Sequence, residues 1–133
     1  MSLQQKLDAL RDHLQVRTRS DALVAMLRVM EDAVSSDRAV KALRAAGRAP
    51  AFTLPDEQDK SVSLADRLNE GPVVMVFYRG DWCPWCAREL AALQAMAGQF
   101  GRLGASVLAV SPQKPLHNRR CVRKHKLTFP ILH

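Results

Sequence analysis

Two cysteines one helical turn apart, Cys83 and Cys86, sit in the run Phe77-Tyr78-Arg79-Gly80-Asp81-Trp82-Cys83-Pro84-Trp85-Cys86-Ala87-Arg88-Glu89-Leu90. A C-x-x-C that directly follows an apolar stretch (residues 73–78) and opens a helix has the pattern of a redox dithiol. The spacing lets the two sulfurs meet across a single turn. The helix N-terminus adds unpaired N–H groups and a partial positive charge. Both favour thiolate over thiol, and the thiolate is the nucleophile. Pro84 suits the first helical turn, where its missing donor is not needed.

The rival chemistry for the pair is metal binding. Cys83 and Cys86 with His117, Cys121 and His125 offer zinc-type ligands, and Cys121-x-x-x-His125 has usable helical spacing. Zinc pairs usually sit on knuckle turns, however, not on a strand-to-helix elbow with a Trp on each side of Pro84. The pair is therefore read as redox-active, and neither a metal nor an organic cofactor is expected. Cys121 reads first as a small apolar filler and second as a resolving thiol. Trp82 and Trp85 either shape a substrate groove or shield the thiolates. Arg79 and Arg88 either lower a thiol pKa by proximity or pair on the surface, and Glu89 suits the first turns of a helix. His13, His117, His125 and His133 have no Cys or carboxylate at a recognisable spacing, and none is given a role.

The elements that must position the dithiol are legible from periodicity. Leu3, Leu7, Leu10 and Leu14 predict a helix over residues 3–15. Ser20-Asp21 can cap a second helix carrying Leu23, Met26, Leu27, Met30 and Val34, and Ser36-Asp37 a short third one with Val40 and Leu43, ended by Gly47. This segment, residues 1–47, is expected to serve packing or dimerisation. From Arg48 the texture changes, and residues 48–133 are read as the redox domain. Residues 49–55 form an extended edge segment bounded by prolines, followed by a polar turn (56–60), a short return at Val62 and a brief helix capped by Ser63. Residues 73–78 predict a strand buried on both faces. A helix over 84–100 should turn Leu90, Leu93 and Met96 inward and end at Gly101 or Gly104. Residues 106–110 are a second buried strand, 116–126 a helix and 128–132 an extended segment. Alternation of strand and helix with short links implies a parallel crossover.

The formal charge of +7 lies entirely at one end. Residues 1–89 carry 13 basic and all 13 acidic side chains, and residues 90–133 carry seven basic ones. The run 117–126 invites a nucleic-acid reading, but no aromatic interleaves it and no nucleic-acid motif surrounds it. A solvated helix face or a surface for an acidic partner is expected instead. No segment approaches the roughly 20 apolar residues that span a bilayer, and residues 1–11 show no signal-peptide core. A cytoplasmic, reducing location follows as the expectation.

Three stretches resemble the peroxiredoxin superfamily, closest to the alkyl hydroperoxide reductase and thiol-specific antioxidant group. Ala49-Pro50-Ala51-Phe52-Thr53-Leu54 resembles that family's first strand. Gly71-Pro72-Val73-Val74 through Phe77-Tyr78-Arg79-Gly80 resembles the strand before its active site. Val107-Leu108-Ala109-Val110-Ser111 and Leu127-Thr128-Phe129-Pro130-Ile131-Leu132 resemble the two that follow. The resemblance covers residues 48–132, and the N-terminal helices resemble the leader of this subgroup. It implies an α/β, thioredoxin-like fold preceded by a helical segment. Past Leu132 that fold would continue with an antiparallel strand pair, a final helix and an Arg that supports the reactive thiolate. The expectation is a shortened chain or a second copy covering the sheet, hence a homodimer or larger assembly.

The family's Pro-x-x-x-Thr-x-x-Cys motif, set in register by Phe77-Tyr78, puts its peroxide-attacking cysteine on Cys86. Cys83 then falls on the Thr and Arg79 on the Pro. Trp82-Cys83-Pro84-Trp85-Cys86 also resembles the thioredoxin site, whose first cysteine attacks, so the order of attack stays open in the sequence. The register leads to the expectation that Cys86 attacks a hydroperoxide, Cys83 condenses with the sulfenic acid, and a thioredoxin-type donor reduces the disulfide. A thioredoxin-type disulfide exchanger and a non-enzymatic redox-sensing or oligomerising module are the alternatives.

Overall fold

The computed structural model describes residues 1–17 and 20–133, and the backbone alone at residues 14–17, 20, 22, 23, 26, 27, 30 and 39. The chain divides into two compact units, Gln4–Pro50 and Ala51–His133, the latter together with Met1–Leu3.

The first unit is helical: α1 (Leu3–Arg17), α2 (Ser20–Ser35) and α3 (Arg38–Lys41). The side chains of Leu14, Ser20, Leu23, Met26, Leu27 and Met30, expected to cap or line these helices, lie outside the described ones. Two expectations are corrected here. Asp37 makes no side-chain capping bond, and the third helix stops at Lys41, well before Gly47. Val40 and Leu43 do not face a core but are exposed. Ser35 and Ser36 instead close α2, their hydroxyls donating to the carbonyls of Glu31 and Ala33.

The second unit begins with a hairpin, β1 (Thr53–Pro55) antiparallel to β2 (Ser61–Ser63). Its turn is built by Asp56, whose carboxylate accepts the N–H groups of Gln58 and Lys60 at 2.8 and 2.9 Å. Ser63 then caps α4 (Leu64–Glu70) by accepting from the Asp66 N–H. At the next link Gly71 is required by close approach, because a Cβ there would stand 2.1 Å from the Gly104 carbonyl oxygen.

A parallel sheet follows, in the order β3 (Val73–Phe77), β4 (Ser106–Val110), β5 (Ile131–Leu132). Helices α5 (Pro84–Arg102) and α6 (Pro115–His125) connect them. β4 is central and its residues 107–109 are buried. Val107 and Ala109 join the cluster of Leu90, Cys121 and Phe129, whereas Leu108 packs with Val62 and Leu132. This alternation is the period-two register of a strand covered on both faces.

The strand at 73–77 differs from its expectation. It is half-buried rather than buried, and Phe77 is 70% exposed, because β3 pairs only with β4 and forms a sheet edge. Met96 is exposed too, while Leu90 and Leu93 pack inward as expected. Among the described residues no helix is long and apolar enough to cross a membrane.

Candidate active site

The dithiol lies where β3 hands over to α5. Tyr78, just past the strand, still donates its N–H to the Val110 carbonyl, so the sheet fixes the start of the active-site turn. Five residues later Cys83 takes extended backbone angles as the N-cap of α5, and Pro84 occupies the first helical turn. A Cys here aims its sulfur at the open N–H groups of the first turn, the position a Ser or Asp cap usually holds. Cys83 Sγ accepts from the Cys86 N–H at 3.4 Å and from the Cys86 thiol at 2.8 Å. A third donor is the Arg79 guanidinium at 3.2 Å.

These contacts separate the two thiols chemically. Burial works against charge on Cys83, but hydrogen bonds from the thiol and N–H of Cys86 and from Arg79 outweigh it and lower its pKa. Burial and the role of donor to Cys83 together push the Cys86 thiol up. Of the two thiols, Cys83 is therefore the one that gives up its proton first, while Cys86 keeps its own and donates it to the Cys83 sulfur. Arg79 is steadied from the other side by Trp82, whose ring centre lies 5.3 Å from the guanidinium carbon. Trp82 itself is 67% exposed, while Trp85 packs against the core.

Beneath the turn runs a polar network that sequence reasoning missed. The buried Tyr78 hydroxyl donates to Asn118 Oδ1 at 3.1 Å, and Gln113 Nε2 reaches both of them. Gln113 Oε1 in turn accepts the Asp81 N–H at 3.2 Å. The Asp81 carboxylate is held by Lys124 at 3.1 and 3.2 Å and faces His125 Nε2 at 3.2 Å. Burial opposes charge on Asp81, yet the bonds from Lys124 and His125 prevail and hold its carboxyl below the usual range. One available signal was Asn118, a polar residue three positions before the fully buried Cys121 on the same helix.

Of the side chains singled out in the sequence, the fold brings Arg79, Cys83, Cys86 and Trp82 together. Cys121 is fully buried in the same cluster, where burial raises its thiol pKa. Arg88 and His117 are exposed, and no described contact joins either to a sulfur. The view that His125 lacks a carboxylate partner is corrected by Asp81. The envisaged ligand set of Cys83, Cys86, His117, Cys121 and His125 does not assemble among the described residues. The cluster with metal-ligand spacing is Asp81, Cys121 and His125.

Known proteins resemble this chain in sequence and in fold. A profile of the AhpC/TSA family matches residues 45–133. The chain is 32% identical over 83 residues to the chloroplastic peroxiredoxin Q of Populus jackii, which covers 62% of this chain and 38% of that protein. The crystal structure of the peroxidoxin BcpB from Mycobacterium tuberculosis superposes with a TM-score of 0.60 at 26% identity, over 63% of this chain and 55% of that one. The thioredoxin domain of a thiol-disulfide oxidoreductase from Bacteroides vulgatus superposes with a TM-score of 0.59, also at 26% identity, over 68% and 64%. The chain thus spans less than two thirds of the length of each of these proteins.

Proposed function

The chain belongs to the AhpC/TSA family, and on that premise we propose that it is a thiol peroxidase reducing hydroperoxides with the Cys83–Cys86 dithiol. The observation that carries this reading is the convergence of the Arg79 guanidinium, the Cys86 thiol and the Cys86 N–H on Cys83 Sγ. A sulfur so held forms its thiolate at lower pH than its neighbour, and the thiolate is the nucleophile.

Attack is assigned to Cys83, in place of the Cys86 that the family register suggests. Cys83 thiolate displaces at the terminal oxygen of ROOH. The O–O bond breaks, the alkoxide takes a proton and leaves as ROH, and Cys83 becomes a sulfenic acid. The Cys86 sulfur then attacks Cys83, its proton leaves with the hydroxyl as water, and a disulfide closes. A thioredoxin-type dithiol returns the pair to its reduced form by exchange, becoming oxidised itself. Cys86 is the slightly more exposed residue, at 8% against 0%. The assignment rests on charge, because a small shift of an exposed turn changes access more easily than it moves a buried charge.

The same proposal takes in a homodimer or larger assembly and a cytoplasmic setting. Exposed Leu68, Phe77 and Leu103 and the open edge of β3 support association, which light scattering tests. Three free thiols suit a reducing compartment, which cell fractionation tests.

A second reading, thiol–disulfide exchange with protein substrates, is favoured by the position of the more acidic thiol as first cysteine of a C-x-x-C at a helix N-terminus. One coupled assay separates the two. With thioredoxin, its reductase and NADPH, the protein should consume hydroperoxide, and Cys83→Ser and Cys86→Ser should each abolish turnover. Hydroperoxide left untouched while insulin disulfides are reduced would replace the first reading by the second.

A further inference from the structure

We propose that Asp81, Cys121 and His125 form a binding site for a divalent transition-metal cation of the zinc type, distinct from the dithiol. One carboxylate oxygen, one sulfur and one imidazole nitrogen lie within 4.8 Å of one another. Zinc bonds of about 2.0–2.3 Å put tetrahedral ligand atoms roughly 3.3–3.8 Å apart. The three donors therefore need to close by about 1.5 Å at most, and the Asp81–His125 edge already spans 3.2 Å.

The donor set selects the cation. A thiolate and an imidazole disfavour magnesium and calcium, which prefer oxygen ligands, and suit zinc or cobalt. Three protein ligands leave a fourth position for water. A carboxylate and a thiolate together neutralise a dication, which a site lying half under the surface requires. Coordination replaces the Cys121 S–H bond by a metal–sulfur bond, and the proton goes to solvent.

The surroundings are those of a supported ligand set. Cys121 and His125 are one turn apart on α6, so the helix fixes two ligands at once. The third is held independently, because the Asp81 N–H is pinned by Gln113. The Lys124 ammonium sits on both Asp81 oxygens and is the cation that a metal must displace. Lys124 is 57% exposed, so it can swing into solvent. Because Asp81 lies two residues before Cys83, an ion in this site ties the active-site turn to the end of α6.

Zinc titration of the reduced, chelator-stripped protein against a chromophoric chelator tests the site. Wild type and the Cys83→Ser/Cys86→Ser protein should both take up one zinc with similar affinity. Asp81→Asn and His125→Ala should each weaken it by about tenfold or more, whereas Lys124→Met should tighten it. Cobalt in place of zinc should give a thiolate charge-transfer band that survives in Cys83→Ser/Cys86→Ser and vanishes in Cys121→Ser. Zinc uptake lost with the dithiol, or unchanged in folded Asp81→Asn, overturns the proposal. Asp81 and His125 are not core side chains, so the test stands even if Cys121→Ser fails to fold.

Discussion

Arg79 donates to Cys83 Sγ across 3.2 Å while its guanidinium stacks on Trp82, so one exposed cation is fixed by an aromatic ring against a sulfur that solvent does not reach. Arg79 is thus a determinant of which thiol ionises. The depressed pKa of Cys83 means that its thiolate is present above the lowered value and lost as pH falls through it. Arg79→Met removes a donor and a charge, so the midpoint of thiolate formation should move up towards the ordinary thiol value of about 8.5. Alkylation rate against pH, with Cys83 followed by peptide mapping, checks this. At neutral pH the variant should react more slowly than wild type and approach it only in alkali. Trp82→Ala should shift the midpoint in the same direction, by less.

The network under the turn should appear in stability. Tyr78→Phe leaves Asn118 and Gln113 without the buried hydroxyl that joins them. A loss of about 0.5–1.5 kcal/mol is expected from the hydrogen bonds removed, since Gln113 Nε2 still reaches Asn118 Oδ1, measured by urea unfolding. Because Gln113 also holds the Asp81 N–H, the variant should oxidise more slowly at the dithiol even where it is fully folded. Unchanged stability would mean that the hydroxyl is not a support.

Glu57 carries a second prediction of this kind. It is buried, and its carboxylate accepts the Ile131 N–H at 3.0 Å, tying the hairpin turn to the first residue of β5. Arg119 reinforces the tie by donating to the Glu57 carbonyl at 2.9 Å. Glu57→Gln keeps an acceptor and should cost less than Glu57→Leu, which orphans the Ile131 N–H at about 1–3 kcal/mol. Equal effects of the two variants would remove the hydrogen bond from the explanation.

Gly71→Ala should be among the most damaging single-atom additions in the chain. The new methyl would overlap the Gly104 carbonyl, a backbone atom that cannot turn aside. Poor expression or a thermal midpoint many degrees below wild type is expected, whereas Gly101→Ala, with open space at its Cβ, should be nearly neutral. A normally stable Gly71→Ala protein would contradict this packing of the α4–β3 and α5–β4 links.

These cases show what the sequence could and could not convey. Ser63, Pro84 and the apolar run 106–110 mark their elements because cap and strand preferences are local. The exposure of Phe77 and Met96 was not legible. An apolar run reads alike at the edge and the centre of a sheet, and helical period alone does not say how far a neighbour extends along a face. The support of the site was hidden for another reason. Asp81 meets His125 across 44 residues, Tyr78 meets Asn118 across 40, and Ile131 meets Glu57 across 74. Each pairing exists only once the parallel sheet and α6 are in place. The dithiol was visible because its two members lie within one turn. The difference in acidity between them was not, since it depends on where Arg79 points.

The central claim is that the Cys83 thiolate reacts with hydroperoxide and is resolved by Cys86. Its most direct test is peptide mapping by mass spectrometry after one equivalent of hydrogen peroxide, on wild type and on Cys86→Ser in the presence of a sulfenic-acid trap. The account predicts one intramolecular Cys83–Cys86 disulfide in wild type with Cys121 still free, and the trap on Cys83 in the variant. A dominant disulfide that includes Cys121, or a Cys83→Ser protein that traps sulfenic acid on Cys86 while Cys86→Ser traps none, would contradict it.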